Sequence, residues 1–168
     1  MRLRCWTWPP TRLKRARCEA EITGEPPVPF ILSLAALLAA APPERTIVAA
    51  PGALAMLRHN GGLTLQWISW DYRGRVLVSE TGGLVHLAGS QIARDGGGRL
   101  ELDGDVTEIS ERSFTFRGRI VITDTPDPGR NCLREGTYEF RITGRRRYWR
   151  LQQMEQCDGL TDYVDIYF

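Results

Sequence analysis

From residue 63 onward, apolar and polar positions alternate with a period close to two. Leu63, Leu65 and Trp67 alternate with Thr64 and Gln66, and Phe114, Phe116, Ile120 and Ile122 with Thr115, Arg117 and Arg119. Tyr138, Phe140 and Ile142 alternate with Glu139 and Arg141, and Val164, Ile166 and Phe168 with Asp165 and Tyr167. Successive side chains of a strand point to opposite faces, so each segment predicts one apolar face and one more polar face. Turn chemistry separates the segments at Arg73-Gly74, Thr81-Gly82-Gly83, Asp95-Gly96-Gly97-Gly98, Asp103-Gly104, Pro128-Gly129, Thr143-Gly144 and Asp158-Gly159. Glycine supplies the positive φ that tight hairpins need, and Asp tolerates it better than most residues.

This punctuation predicts strands near 63–70, 73–79, 84–89, 99–103, 105–110, 113–123, 136–143, 147–154 and 161–168, with a further one at 45–50 and a short helix over 52–58. Proline is absent between Pro51 and Pro126, as an uninterrupted ladder of paired strands requires. The expected fold is all-β: an antiparallel small β-barrel (lipocalin-like or related) or a sandwich of about 8–10 strands. Alternation alone leaves open whether the apolar faces turn inward or toward lipid. The terminal run 163–168 resembles the last strand of bacterial outer-membrane barrels, but membrane strands need about 9–11 residues. The segments at 73–79, 84–89 and 99–103 are shorter than that.

The front of the chain follows no such period. Residues 1–29 mix six basic and three acidic side chains with five prolines, and an apolar run follows at 30–41. A bilayer span needs about 20 apolar residues, so this run matches instead the h-region of a secretory signal. Glu19, Glu21 and Glu25 before the run and Pro42 after it fit a signal poorly. A start at Val28, read from a GTG codon, is one repair, and a buried or interfacial helix is the other reading. The expected organisation is a leader over 1–43 and a single β domain over 44–168. Its expected location is periplasmic or secreted, the outer membrane if the apolar faces meet lipid, and the cytoplasm if the leader is not a signal.

Charge sharpens this division. The whole chain carries 22 basic and 20 acidic residues, whereas residues 44–168 carry 16 and 17, and the one lysine, Lys14, lies in the leader. A near-neutral body gives no electrostatic reason to expect nucleic acid as partner. Cys132 and Cys157 flank two predicted strands, and in an exported protein they are expected to pair; in a reducing cytosol they would remain thiols. His59 and His86 lack metal-ligand spacing, and Asp158, Asp162 and Asp165 lack that of a calcium loop. Neither a metal nor a cofactor is expected. Hydrolase elbows, phosphate-cradling loops and dinucleotide fingerprints are absent from the sequence. Glu101, Asp103 and Asp105 could serve an enzyme of unrecognised type if they converged around His86, but the expectation is binding without catalysis.

Two stretches suggest where binding would occur. Trp67, Trp70 and Tyr72 put bulky rings on both sides of one segment, as in barrels lined for small apolar ligands; aromatic core packing is the plainer reading. Arg147 and Trp149, within the run 145–150, combine guanidinium and aromatic groups that suit an anion or single-stranded nucleic acid; a solvated hairpin turn is the plainer reading. The expected partner is a small ligand or an envelope protein.

The stretches YWRLQQMEQCDGLTDYVDIYF and ISERSFTFRGRI resemble a family of small uncharacterised exported β proteins from proteobacteria. The resemblance covers roughly residues 60–168 and is most specific in the last twenty. It implies an envelope location and a compact β domain, and it brings no activity and no site residues with it.

Overall fold

A computed structural model describes residues 45–168; the signal-like run at 30–41 lies outside the described residues. The elements in chain order are β1 (Ile47–Val48), α1 (Pro51–Arg58), β2 (Leu63–Leu65), β3 (Arg75–Thr81), β4 (Leu84–Ile92), β5 (Arg99–Ile109), β6 (Ser113–Thr123), β7 (Asn131–Arg141), β8 (Tyr148–Leu151) and β9 (Val164–Tyr167). Each strand from β3 to β9 pairs antiparallel with the next, and β9 pairs antiparallel with β2. The ring closes where Leu63 and Gly74 exchange backbone hydrogen bonds of 3.3 and 2.8 Å. The result is a nearly closed barrel of eight strands, β2 to β9, that follow one another in chain order around the ring. β1 lies outside that order, parallel to the end of β5 at Glu108 and Ile109.

The two-residue period sets which face is which. Leu100, Leu102 and Val106 of β5, Phe116, Ile120 and Ile122 of β6, and Tyr138 and Phe140 of β7 are buried inside the barrel. Leu63, Leu65, Val85, Leu87, Trp149, Leu151, Val164 and Ile166 complete the filling. Complete burial of one such side chain contributes about 1.5–3 kcal/mol, and aromatic pairs fix the packing. Phe114 stacks on Phe140 at 4.9 Å, and Phe116 meets Phe140 edge-on at 6.2 Å. The short helix plugs one region of the barrel with Ala53 and Leu57. Its proline-led first turn has no side-chain cap, and Asn60 just beyond it donates to Leu57 and Val76 carbonyls.

Outward positions form cross-strand rows. Ser79, His86, Asp105, Arg117 and Thr137 are in register, as are Leu77, Ala88, Asp103, Arg119 and Glu135. Across β4–β7 the buried apolar side chains therefore point inward and, Arg134 of β7 apart, the charged ones point toward the outside.

Three expectations need correction. The predicted turn at Asp103-Gly104 is the middle of the continuous strand β5. Gly104 faces Gly118, and Gly118 faces Gly136, so a glycine row crosses three strands on the inward side. A Cβ on Gly118 would lie 2.3 Å from the Asp103 carbonyl oxygen and 2.6 Å from the Gly104 Cα. These glycines permit close strand approach and curvature rather than a reversal. The strand expected over 63–70 ends at Leu65, because Ile68 and Ser69 donate back to the Leu65 carbonyl in a turn. The strand expected over 136–143 begins earlier, at Asn131, and takes Cys132 into the core.

Candidate functional site

The barrel's interior is filled by side chains, so what stands open to a partner lies on its outer surface. One region of that surface is organised by more than strand pairing. Residues 66–73, between β2 and β3, have no strand partner, yet four side chains hold their backbone and rings in place. Gln91, nearly fully buried on β4, accepts from the Leu65 amide at 2.7 Å and donates to the Ser69 and Tyr72 carbonyls at 3.2 and 2.9 Å. Gln66 reaches across to the segment just before β9, donating to the Thr161 carbonyl and accepting from the Tyr163 amide at 2.6 Å. Thr125 donates to the Trp67 carbonyl, and the Trp67 indole N–H donates to Asp162, each at 3.0 Å.

Asp162 is the centre of a buried ionic knot. Its carboxylate accepts from two nitrogens of Arg130 at 3.0 Å each and from Arg134 as well as from Trp67. Arg134 projects into the barrel from β7, where it also donates to the Gln153 carbonyl and to the Cys132 sulfur. Burial pulls the Arg134 guanidinium below its ordinary basicity, against the charge of Asp162. Burial also pushes the neighbouring Tyr138 phenol up, with the charge of Arg134 opposing it. Cys132 and Cys157 form a disulfide with Cα atoms 5.8 Å apart, so the segment preceding Asp162 is tied to β7 covalently.

One ring presented by this loop, Trp70, meets the outer face of β8 at Arg150. Arg150 of β8 grips Asp165 of β9 through two bonds of 2.7 Å, and Asp165 has no exposed side-chain surface. Burial pushes the Asp165 carboxyl above its ordinary range, more strongly than the hydrogen bond and charge of Arg150 pull it down. The Arg150 guanidinium lies 4.2 Å from the Tyr163 ring centre, 5.2 Å from that of Tyr148 and 6.0 Å from that of Trp70. Tyr148 contacts Tyr167 at 5.2 Å, Arg73 covers Tyr167 at 3.9 Å, and Arg146 lies 5.7 Å from Tyr148. A continuous strip of alternating rings and guanidinium groups therefore runs from Trp70 to Arg73 and Arg146. Arg145 and Arg147, in and beside the β7–β8 turn, are exposed and pair with no carboxylate among the described residues.

The residues singled out from sequence occupy different places in this arrangement. Trp67 and Trp70 are 37% and 48% exposed on the loop. Tyr72 is half-buried, its hydroxyl between the Ile92 carbonyl and the Arg94 amide. Arg147 is exposed, while Trp149 is 1% exposed and stands inside the barrel against Phe114 and Phe168. The indole N–H of Trp149 has no acceptor among the described residues. The two sequence stretches do meet, but through Arg150 and Trp70 rather than through Trp149. Gln66, Gln91, Arg130, Arg134 and Asp162 went unnoticed as organisers of the site, because their partners are far away in sequence. Gln91, Arg134 and Asp162 are buried polar residues, and a single sequence does not display burial.

The His86 neighbourhood is a second arrangement. His86 Nδ1 lies 2.9 Å from Asp105 and Nε2 lies 3.7 Å from Asp103, in a shallow open depression shared with Glu135. Two carboxylates do converge on the ring. Both ring nitrogens face β5, and Ser79 stands beside His86 on the other flank without a hydrogen bond to the ring among the described residues. Among the described residues there is no cluster of side chains fit to hold a metal ion.

Comparison with known proteins gives this architecture a family and no activity. A protein from Pasteurella multocida (strain Pm70), called "Uncharacterized protein PM1083", is 44% identical over 106 residues, which cover 62% of this chain and 68% of that protein. No solved structure matches the chain. The family model of PM1083 covers residues 45–168, the whole of the described barrel, and the chain belongs to the PM1083 family.

Proposed function

We propose that this chain is a non-catalytic binding domain of the cell envelope, taking an anionic partner on the strip that joins Trp70, Tyr163, Arg150, Tyr148 and the arginines of the β7–β8 turn. The observation that carries this reading is the fixing of residues 66–73. Hydrogen bonds made by Gln66 to its neighbours, by Gln91 and Thr125 to the loop backbone, and by the Trp67 indole to Asp162 hold a surface loop that leaves two tryptophans exposed. Exposed tryptophans on a rigid support lose little freedom on binding, which favours recognition. Arginine supplies the sign of the partner, because Arg145 and Arg147 carry charge that no described carboxylate neutralises.

The envelope setting is supported by the disulfide, which persists in oxidising compartments, and by the signal-like run at 30–41. Charged outward rows on β4–β7 favour a surface bathed in water over one facing lipid, where charges are costly. The test is titration of the ¹⁵N-labelled full chain with inorganic polyphosphate. Amide and indole signals are expected to shift within 66–73, 143–150 and 163–168 and to return when salt is raised. Absence of any shift, or shifts centred on His86, would overturn the proposal.

A further inference from the structure

The chemistry of the strip narrows the class of anion. We infer that the partner is an acidic saccharide: sugar rings carrying carboxylate, sulfate or phosphate groups. This rests on the strip being the binding surface. Three kinds of group are present together, and a bare anion would use only one. The first is open aromatic surface on Trp67 and Trp70, which lie three residues apart on a fixed loop. The Trp67 N–H is turned to buried Asp162, which leaves the indole to present apolar surface, suited to the C–H faces of a sugar ring.

The second is a set of uncommitted hydroxyls. Tyr148, Tyr163 and Tyr167 are half-buried, and their phenol oxygens make no hydrogen bond among the described residues. A phenol both donates and accepts, so three of them along one strip, Tyr148 against Tyr167 and Tyr163 across Arg150, match a polyol better than they match a phosphate or a carboxylate side chain. The third is the pair of unneutralised guanidinium groups, Arg145 and Arg147, at the Tyr148 end. Asp165, the carboxylate within the strip, is buried and already gripped by Arg150, so it offers no open negative charge to a cationic sugar.

A peptide rich in glutamate would use the arginines and leave the tyrosine hydroxyls and Trp70 unemployed. Single-stranded nucleic acid would use rings and arginines, but the β domain has no surplus of positive charge to hold a long phosphate chain. Acidic saccharide is the class that engages all three groups.

Fluorescence anisotropy with the full chain tests this, using a fluorescein-labelled heparin hexasaccharide as probe. The comparison ligands are a neutral maltohexaose, poly-glutamate and a twelve-residue oligothymidine, with inorganic polyphosphate as the plain polyanion. The hexasaccharide is expected to bind about tenfold or more tighter than any comparison ligand, and Trp70→Ala to weaken it about tenfold. Arg145→Ala with Arg147→Ala is expected to weaken the hexasaccharide and polyphosphate alike, with unchanged thermal melts confirming that the variants fold. Equal or tighter binding of poly-glutamate or oligothymidine, or indifference to Trp70→Ala, overturns the saccharide assignment while leaving the anion-binding strip intact. Failure of every anionic ligand to bind overturns both.

Discussion

At the scale of single residues, the most consequential group is Asp162, whose carboxylate has no exposed surface and faces the buried guanidiniums of Arg130 and Arg134. Removing one member of a buried ion pair leaves the other charged and desolvated, which typically costs about 3–5 kcal/mol. Asp162→Ala should therefore lower the urea midpoint sharply with little change in the denaturant slope, and an effect within 1 kcal/mol (roughly that of an exposed pair) would mean that water reaches the knot. Gln91→Leu should act more locally: it strips the Leu65 amide and two loop carbonyls of their partners, so hydrogen exchange is expected to quicken in 66–73 before it does in β5 or β6. Asp165 bears on pH. Its carboxyl is pushed above the ordinary value near 3.8, with burial as the larger cause. A carboxyl raised on folding holds its proton more tightly in the folded state. Its favourable contribution is complete below the ordinary value and is lost as pH rises through the raised one. Wild-type stability relative to Asp165→Asn should accordingly decline across that window, measured by urea melts at successive pH values; a difference that grows with pH would contradict the cause assigned.

At the scale of elements, alternation read from sequence located nearly every strand, because period two and inward burial are the same fact once the sheet curls on itself. Errors arose where a local signal had two structural meanings. Asp103-Gly104 has the composition of a hairpin turn, yet its glycine stands opposite Gly118 within a long pairing of β5 and β6. Only the partner strand reveals that the missing side chain is needed for close approach. Likewise Trp67, Ile68 and Trp70 have strand-forming composition, but Gln91 captures the backbone around them, at Leu65, Ser69 and Tyr72, and turns it away from the sheet. The glycine row makes a specific expectation. In Gly118→Ala the added methyl meets the Asp103 carbonyl, the Gly104 Cα and, at 2.9 Å, the Phe116 ring. Overpacking of this kind costs about 1–3 kcal/mol. Trimming the ring with Phe116→Leu should not rescue it, because the nearer contacts are backbone. A double variant no less stable than Phe116→Leu alone would show that the sheet can relax there.

At the scale of the whole molecule, the barrel and the strip of rings and arginines rest on different kinds of information. The barrel follows from a repeating pattern of apolar side chains, each step visible locally. The strip follows from long-range convergence: Trp67 is 95 residues from Asp162, and Gln66 lies a similar distance from Thr161 and Tyr163. Sequence reading named the rings at 67–72 and the arginines near 147, but it could not supply the glutamines and carboxylates that hold them. The Cys132–Cys157 disulfide joins the two systems, since it fastens the non-strand segment leading to Asp162 onto the interior-facing side of β7. Closing a loop of that length stabilises a fold by about 3–4 kcal/mol through the entropy of the unfolded chain. That estimate concerns global stability; the position of the bridge makes a sharper statement about where loosening begins. β4, β5 and β6 pair along their lengths without it, whereas the 152–163 segment is held by the bridge, the ionic knot and a few backbone bonds. Reduction should therefore speed hydrogen exchange in 152–163, at Arg130 and Arg134, and through Asp162 in 66–73, under conditions where β4–β6 stay protected. Uniform acceleration throughout the barrel would mean that the bridge acts only on the unfolded chain. Confined acceleration would make the bridge a support of the strip, because the same segment carries the carboxylate that orients Trp67.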